Sequence, residues 1–250
     1  MDAPALRFVE EPYHFNDIGN MLQLFRDQGF VVLEEVFKPD TVDAFREQLY
    51  ALIRAQEERG KGLTVPDDVP HSIWPAKAPR LRDMVRRSLW PNYERVNPTL
   101  FHPSWLIHKA NPTAPEPEGW HRDGDHNVAQ FGNVYYHYPL VVHVNMYFED
   151  LTLRHGPTHV IPRSHRVVEL SPFNGSPSAP LACRKGDVVL WDQRLWHRGS
   201  VRREEGLRIA AIFGFHASHV HRFGQTPAQT AAYATAENEA EKILFGGCFE

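Results

Sequence analysis

Apolar positions three and four apart are the first pattern along the chain. Ile18, Met21, Leu22 and Phe25 fall on one face of residues 17–28 and Gly29 follows as a stop, which predicts an amphipathic helix. The pattern then changes period. Residues 30–37 are rich in β-formers and predict a strand, Lys38-Pro39-Asp40 breaks it with Asp40 placed to cap a second helix, and Val42, Phe45, Leu49, Leu52 and Ile53 share one face of that helix up to about residue 59. Residues 60–79 are dense in glycine, proline and mixed charge and predict a loop, which with His71 and Trp74 is long enough to cover a site. A short helix is expected over residues 81–88. Strand-like runs then recur between turn signals at 105–109, 139–148, 158–162, 187–191 and 207–216, and a last helix is expected over 228–244.

Many short strands without intervening helices indicate an antiparallel sandwich or barrel. The fold class is therefore mainly β, with helices flanking the core at both ends of the chain. No internal repeat or shift in composition divides the 250 residues, so a single domain over residues 1–250 is expected. Composition agrees, with 42% hydrophobic and 23% charged residues. A net charge of -4 provides no positive field, so neither nucleic acid nor anionic lipid is an expected partner. The two cysteines, Cys183 and Cys248, have no metal-ligand or redox spacing and form no disulfide framework. The start lacks a signal-peptide pattern and no apolar run approaches the ~18 residues of a membrane span. A cytoplasmic protein is the expectation, and the sequence is silent on oligomeric state.

Fifteen histidines turn attention to metals. In His121-Arg122-Asp123, residues i and i+2 of an extended segment project to one side and aim an imidazole and a carboxylate at one spot. His197 follows a turn and a strand that begin at Gly186-Asp187. Two histidines and one carboxylate form the facial set of non-haem Fe(II) oxygenases, which leaves three metal positions open. Asp125 and His126 lie close enough to the pair to offer a shifted ligand set. Eleven residues past His197, Arg208 stands within the apolar run 207–215. A buried guanidinium requires an anion, and the carboxylate of a keto-acid matches it in bidentate fashion.

With these residues in order, the chain resembles the phytanoyl-CoA dioxygenase family of Fe(II)/2-oxoglutarate-dependent oxygenases. The resemblance runs from residues 25–33 and 37–40 through Trp120-His121-Arg122-Asp123 and residues 156–165 to Gly186-Asp187, His197 and Arg208. It implies a double-stranded β-helix, a cupin-like jelly roll, with Fe(II) held by His121, Asp123 and His197 and with 2-oxoglutarate anchored by Arg208. Thr158 stands where relatives place a further co-substrate contact. Ser200 is another candidate contact, one residue beyond the place where relatives carry a serine and this chain has Gly199. Arg163 replaces the glycine of the relatives' Pro-Gly-Ser-His segment.

The implied reaction consumes O2 and 2-oxoglutarate, releases succinate and CO2, and hydroxylates an aliphatic carbon of a small molecule of natural-product, amino-acid or acyl type. Retention of Asp123 disfavours halogenation, because related halogenases free that position for chloride. The aromatic residues 131–138 are candidate pocket walls. Lys109, Arg163 and Arg222 fit solvated charges better than substrate contacts. Two other classes compete: a cupin-like metalloenzyme, either an isomerase or a 2-oxoglutarate-independent dioxygenase, and a catalytically silent binding module. Arg208 argues against the first and the complete ligand set against the second.

Overall fold

The computed structural model describes residues 17–66, 78–89, 98–123, 139, 141–217, 230 and 233–244. The segment containing His71 and Trp74, the aromatic residues 131–138, Asp125, His126, Arg222 and Cys248 lie outside them. Helix α1 (Ile18–Gln28) begins at Asp17, whose carboxylate accepts the Asn20 N–H, and ends at Gly29. Strand β1 (Phe30–Leu33) follows, shorter than the 30–37 run predicts. Helix α2 (Pro39–Glu58) has Lys38 and not Asp40 at its N-cap. Proline at the first helical position presets the turn, and Asp40 acts from within that turn on the positive helix end. Helix α3 (Pro79–Leu89) comes next.

The remaining strands are β2 (Pro98–Lys109), β3 (Val141–Tyr147), β4 (His159–Val160), β5 (Ala179–Pro180), β6 (Val188–Asp192), β7 (His197–Arg198) and β8 (Leu207–Ala217). The expected C-terminal helix is interrupted. Residues 235–238 are not helical, and helix α4 (Glu239–Leu244) starts afresh. Asn238 explains the break: its side chain accepts the Glu241 N–H while the Glu241 carboxylate accepts the Glu237 N–H, a reciprocal cap that competes with a continuous helix.

The strands form two antiparallel sheets, a large one in the order β1-β6-β3-β8-β2 and a small one in the order β5-β4-β7. Period-two alternation gives the large sheet two faces. Val31, Leu33, Val142, Val144, Met146, Val188, Leu190, Ile209, Ala211, Phe213 and Phe215 look outward and are buried under α1, α2 and α3. Phe30, Tyr147, Val189, Trp191 and Ala210 look inward and pack with Val160 of the small sheet and with Leu181 and Leu195. The helices thus seal one face of the large sheet, and the space between the sheets is left for chemistry. Among the described residues no helix is long and apolar enough to cross a membrane, and Cys183 is a free thiol.

Candidate metal centre

His121, Asp123 and His197 each offer a ligand atom within 4.8 Å of the others. Backbone pairing brings them together. His121 and His197 form an isolated antiparallel bridge, with N–H donated each way at 3.0 and 2.9 Å, and the Asp123 N–H donates to the Gln193 carbonyl at 3.0 Å. His121 and Asp123 therefore hang from the β6–β7 connection rather than from a strand of their own. Each histidine commits Nδ1 to a nearby carbonyl, His121 to Gly119 at 2.8 Å and His197 to Leu195 at 3.0 Å. That fixes the tautomer and leaves Nε2 with a lone pair for a cation. The Asp123 carboxylate lies 3.8 Å from both Nε2 atoms.

The electrostatics suit a divalent cation. Burial pushes the His197 imidazole down to about 4, against the pull of Asp123, so the ring is neutral and able to bind metal. Burial alone would raise the Asp123 carboxyl, but contact with His143 and the charges of His143, His197 and His121 hold it below the usual carboxylate range. Exposure is graded: the His121 side chain is 56% exposed, Asp123 37% and His197 8%, so the set opens to solvent on the His121 side.

Residues 158–165 hold the His197 loop in place. The Ser164 hydroxyl, fully buried, accepts the Trp196 N–H at 2.9 Å, the Ile161 N–H donates to the Trp196 carbonyl at 2.9 Å, and Val160 pairs with His197 across β4 and β7. His165 donates from Nε2 to the Arg26 carbonyl near the end of α1 at 2.9 Å. The Gly186-Asp187 turn is structural as well, since the Asp187 carboxylate accepts the N–H groups of Glu35 and Arg184.

Arg208 is 3% exposed on the inward face of β8, in register with His108 of β2. Among the described residues its Nε and Nη1 have no hydrogen-bond partner, although such groups are costly to bury unpaired. On the same face, the inward row of β3 runs from His143 through Asn145 to Tyr147. The Tyr147 hydroxyl lies 3.4 Å from Thr158 Oγ1 and 3.4 Å from the Asn145 amide nitrogen. Ser200 is buried and its hydroxyl donates to the Pro157 carbonyl. No described residue lies within 4 Å of the point where a side chain on Gly199 would begin.

The family model for phytanoyl-CoA dioxygenase (PhyH) matches residues 25–210, a span that includes all three clustered ligands and Arg208. The chain belongs to the phytanoyl-CoA dioxygenase family. Membership gives it the function type of a non-haem iron, 2-oxoglutarate oxygenase. Solved structures share the fold. One is the non-haem monooxygenase ThoJ in a nickel complex, 15% identical, covering 82% of this chain and 80% of that chain with a TM-score of 0.61. Another is SnoN, an alpha-ketoglutarate-dependent epimerase from nogalamycin biosynthesis, 15% identical, covering 80% and 82% with a TM-score of 0.57. AviO1 from Streptomyces viridochromogenes is 19% identical, covering 82% and 97% with a TM-score of 0.57.

Two features of this family member escape sequence reasoning. His143 Nε2 lies 3.1 Å from Asp123 Oδ2, and its ring stacks on Trp191 with centroids 4.4 Å apart. The signal available was a histidine in an otherwise apolar strand, but only the sheet shows that it faces Asp123. Arg163, in place of the relatives' glycine, keeps the backbone geometry a glycine favours, with φ at 68°.

Proposed function

We propose that this protein is an Fe(II)- and 2-oxoglutarate-dependent hydroxylase acting on an aliphatic carbon of a small molecule. His121, Asp123 and His197 hold the iron, and Arg208, helped by Thr158 and Ser200, holds the co-substrate. The observation that carries this reading is the clustered set of two imidazoles and one carboxylate with both Nε2 atoms left free by backbone hydrogen bonds. Family membership and the alpha-ketoglutarate dependence of SnoN support the co-substrate, as does the unpaired guanidinium of Arg208, which fits a carboxylate in bidentate fashion.

Iron and 2-oxoglutarate together supply the oxidising power toward O2 and a substrate C–H bond, with succinate and CO2 as by-products. The chain positions and excludes. Asp123 contributes negative charge, the histidines bind as neutral rings, and the packed inward residues Phe30, Val189, Leu195 and Ala210 keep water from the inner side. The open side at His121 is where substrate enters.

The test is an anaerobic titration of the metal-free protein with Fe(II) and then 2-oxoglutarate, following metal content and the weak visible charge-transfer absorption. Saturating absorption in the wild type, its weakening in Arg208→Ala with iron retained, and loss of iron in Asp123→Ala or His197→Ala are expected. Iron binding without any response to 2-oxoglutarate would overturn the reading in favour of a cupin-like metalloenzyme. Product analysis then separates hydroxylation from an epimerase-type outcome: hydroxylation leaves one oxygen atom from 18O2 in the product.

A further inference from the structure

Among the described residues two arginines are buried, Arg208 on β8 and Arg202 in the loop that precedes it. Burial most disfavours the charge of Arg208, Tyr147 favours it, and after these Arg202, itself 4% exposed, disfavours it and Glu149 favours it. Glu149 would be the natural partner of Arg208. The β3–β8 register, with Tyr147 opposite Ala210, would place residue 149 opposite residue 208 if it continued. A half-buried carboxylate beside an unpaired guanidinium ordinarily forms a bidentate pair.

That pair does not form, because Glu149 is already engaged. Arg202 Nη1 donates to Glu149 Oε1 at 2.5 Å and Nη2 to Oε2 at 3.1 Å, while Nη2 also donates to the Glu205 carbonyl at 2.7 Å. His155 Nε2 approaches the same carboxylate at 3.7 Å. Both Glu149 oxygens are thus turned to Arg202, and among the described residues Arg208 Nε and Nη1 have no partner.

We propose that Arg202 is a positioning residue for the co-substrate: by clamping Glu149 it denies Arg208 an internal carboxylate and keeps that guanidinium available for the carboxylate of 2-oxoglutarate. The local count of two guanidinium groups and one carboxylate leaves one positive charge, which one ligand carboxylate neutralises. The inference rests on the reading of Arg208 as the co-substrate anchor.

The test uses Mn(II)-loaded protein and anaerobic calorimetric titration with 2-oxoglutarate for the wild type, Arg202→Met, Glu149→Gln and the double variant. Released Glu149 competes for Arg208, so Arg202→Met is expected to weaken 2-oxoglutarate binding about tenfold or more with Mn(II) affinity unchanged. Adding Glu149→Gln removes the competitor and restores affinity to within about threefold of wild type. A purely structural role for the pair predicts no such rescue, so a double variant as weak as Arg202→Met, or an Arg202→Met that binds normally, overturns the proposal. If Arg202→Met does not fold, Glu149→Gln decides alone: affinity within about threefold of wild type or tighter supports the proposal, and any greater loss overturns it. Wild-type protein that binds Mn(II) but not 2-oxoglutarate would sink the anchor reading itself, and this inference with it.

Discussion

Gly29 links α1 to the loop that carries His197, and replacing it with alanine tests that link quantitatively. Two costs add at this position. The backbone has φ of +85°, and a new Cβ would lie 2.6 Å from His165 Nδ1, 2.7 Å from Leu195 Cδ2 and 2.9 Å from Leu195 Cγ. The left-handed backbone costs an L-residue about 1 kcal/mol net of the entropy removed from the unfolded chain. Forcing a methyl group against two buried side chains adds about 1–3 kcal/mol. Gly60 isolates the first cost, because it has φ of +72° with no described residue within 4 Å of its Cβ position. Urea denaturation of the metal-free proteins is therefore expected to show Gly60→Ala destabilised by about 1 kcal/mol and Gly29→Ala by about 2–4 kcal/mol. The Gly29 carbonyl accepts the Asp192 N–H at 2.8 Å, and Leu195 supplies the carbonyl that orients His197, so the displaced contacts reach the metal centre. Metal affinity measured by calorimetry is expected to fall in Gly29→Ala and to stay unchanged in Gly60→Ala. Equal destabilisation of the two variants would refute the steric argument, and unchanged metal affinity in a destabilised Gly29→Ala would refute the coupling.

Other expectations follow from single contacts. His143→Phe keeps a ring over Trp191 but removes the contact to Asp123, and metal affinity is expected to drop about 10–100-fold while His143→Gln retains more of it; wild-type affinity in His143→Phe would remove His143 from the site. Arg163→Gly relieves a left-handed residue and is expected to stabilise the protein by about 0.5–1 kcal/mol in urea denaturation, whereas a clear loss would show that the side chain contributes more than its backbone costs. Burial and the charge of Arg208 push His108 down to about 4 from an unfolded value of 6.5, so the unfolded chain binds the extra proton between those values. Stability is then lost as pH falls from 6.5 toward 4, and His108→Gln is expected to flatten that loss; an identical pH profile of urea midpoints would exclude His108 as a cause.

Several parts of this protein were legible in the chain because the physics behind them is local. The period of Ile18, Met21, Leu22 and Phe25 set α1, and the unbroken apolar run at residues 188–191 marked β6 as a buried strand, while which of its side chains look outward under the helices came only from the sheet. His121, Asp123, His197 and Arg208 were identifiable as a group because their order and separations resemble a known arrangement, and the structure brings the ligand atoms of the first three within 4.8 Å of one another. Helix ends were read less well. Lys38 rather than Asp40 caps α2, and the cap at Asn238 breaks a segment whose composition favours one continuous helix.

What only the tertiary structure decided are contacts made across strands by residues far apart in sequence. The sheet aims His143 at Asp123, seats the Ser164 hydroxyl under the Trp196 N–H and gives Glu149 to Arg202 instead of Arg208. Nothing local distinguishes a histidine aimed at a ligand from one aimed at solvent, or a carboxylate with one partner from a carboxylate with another. Side-chain types set what chemistry is possible, whereas strand register and sheet packing decide which of those groups meet.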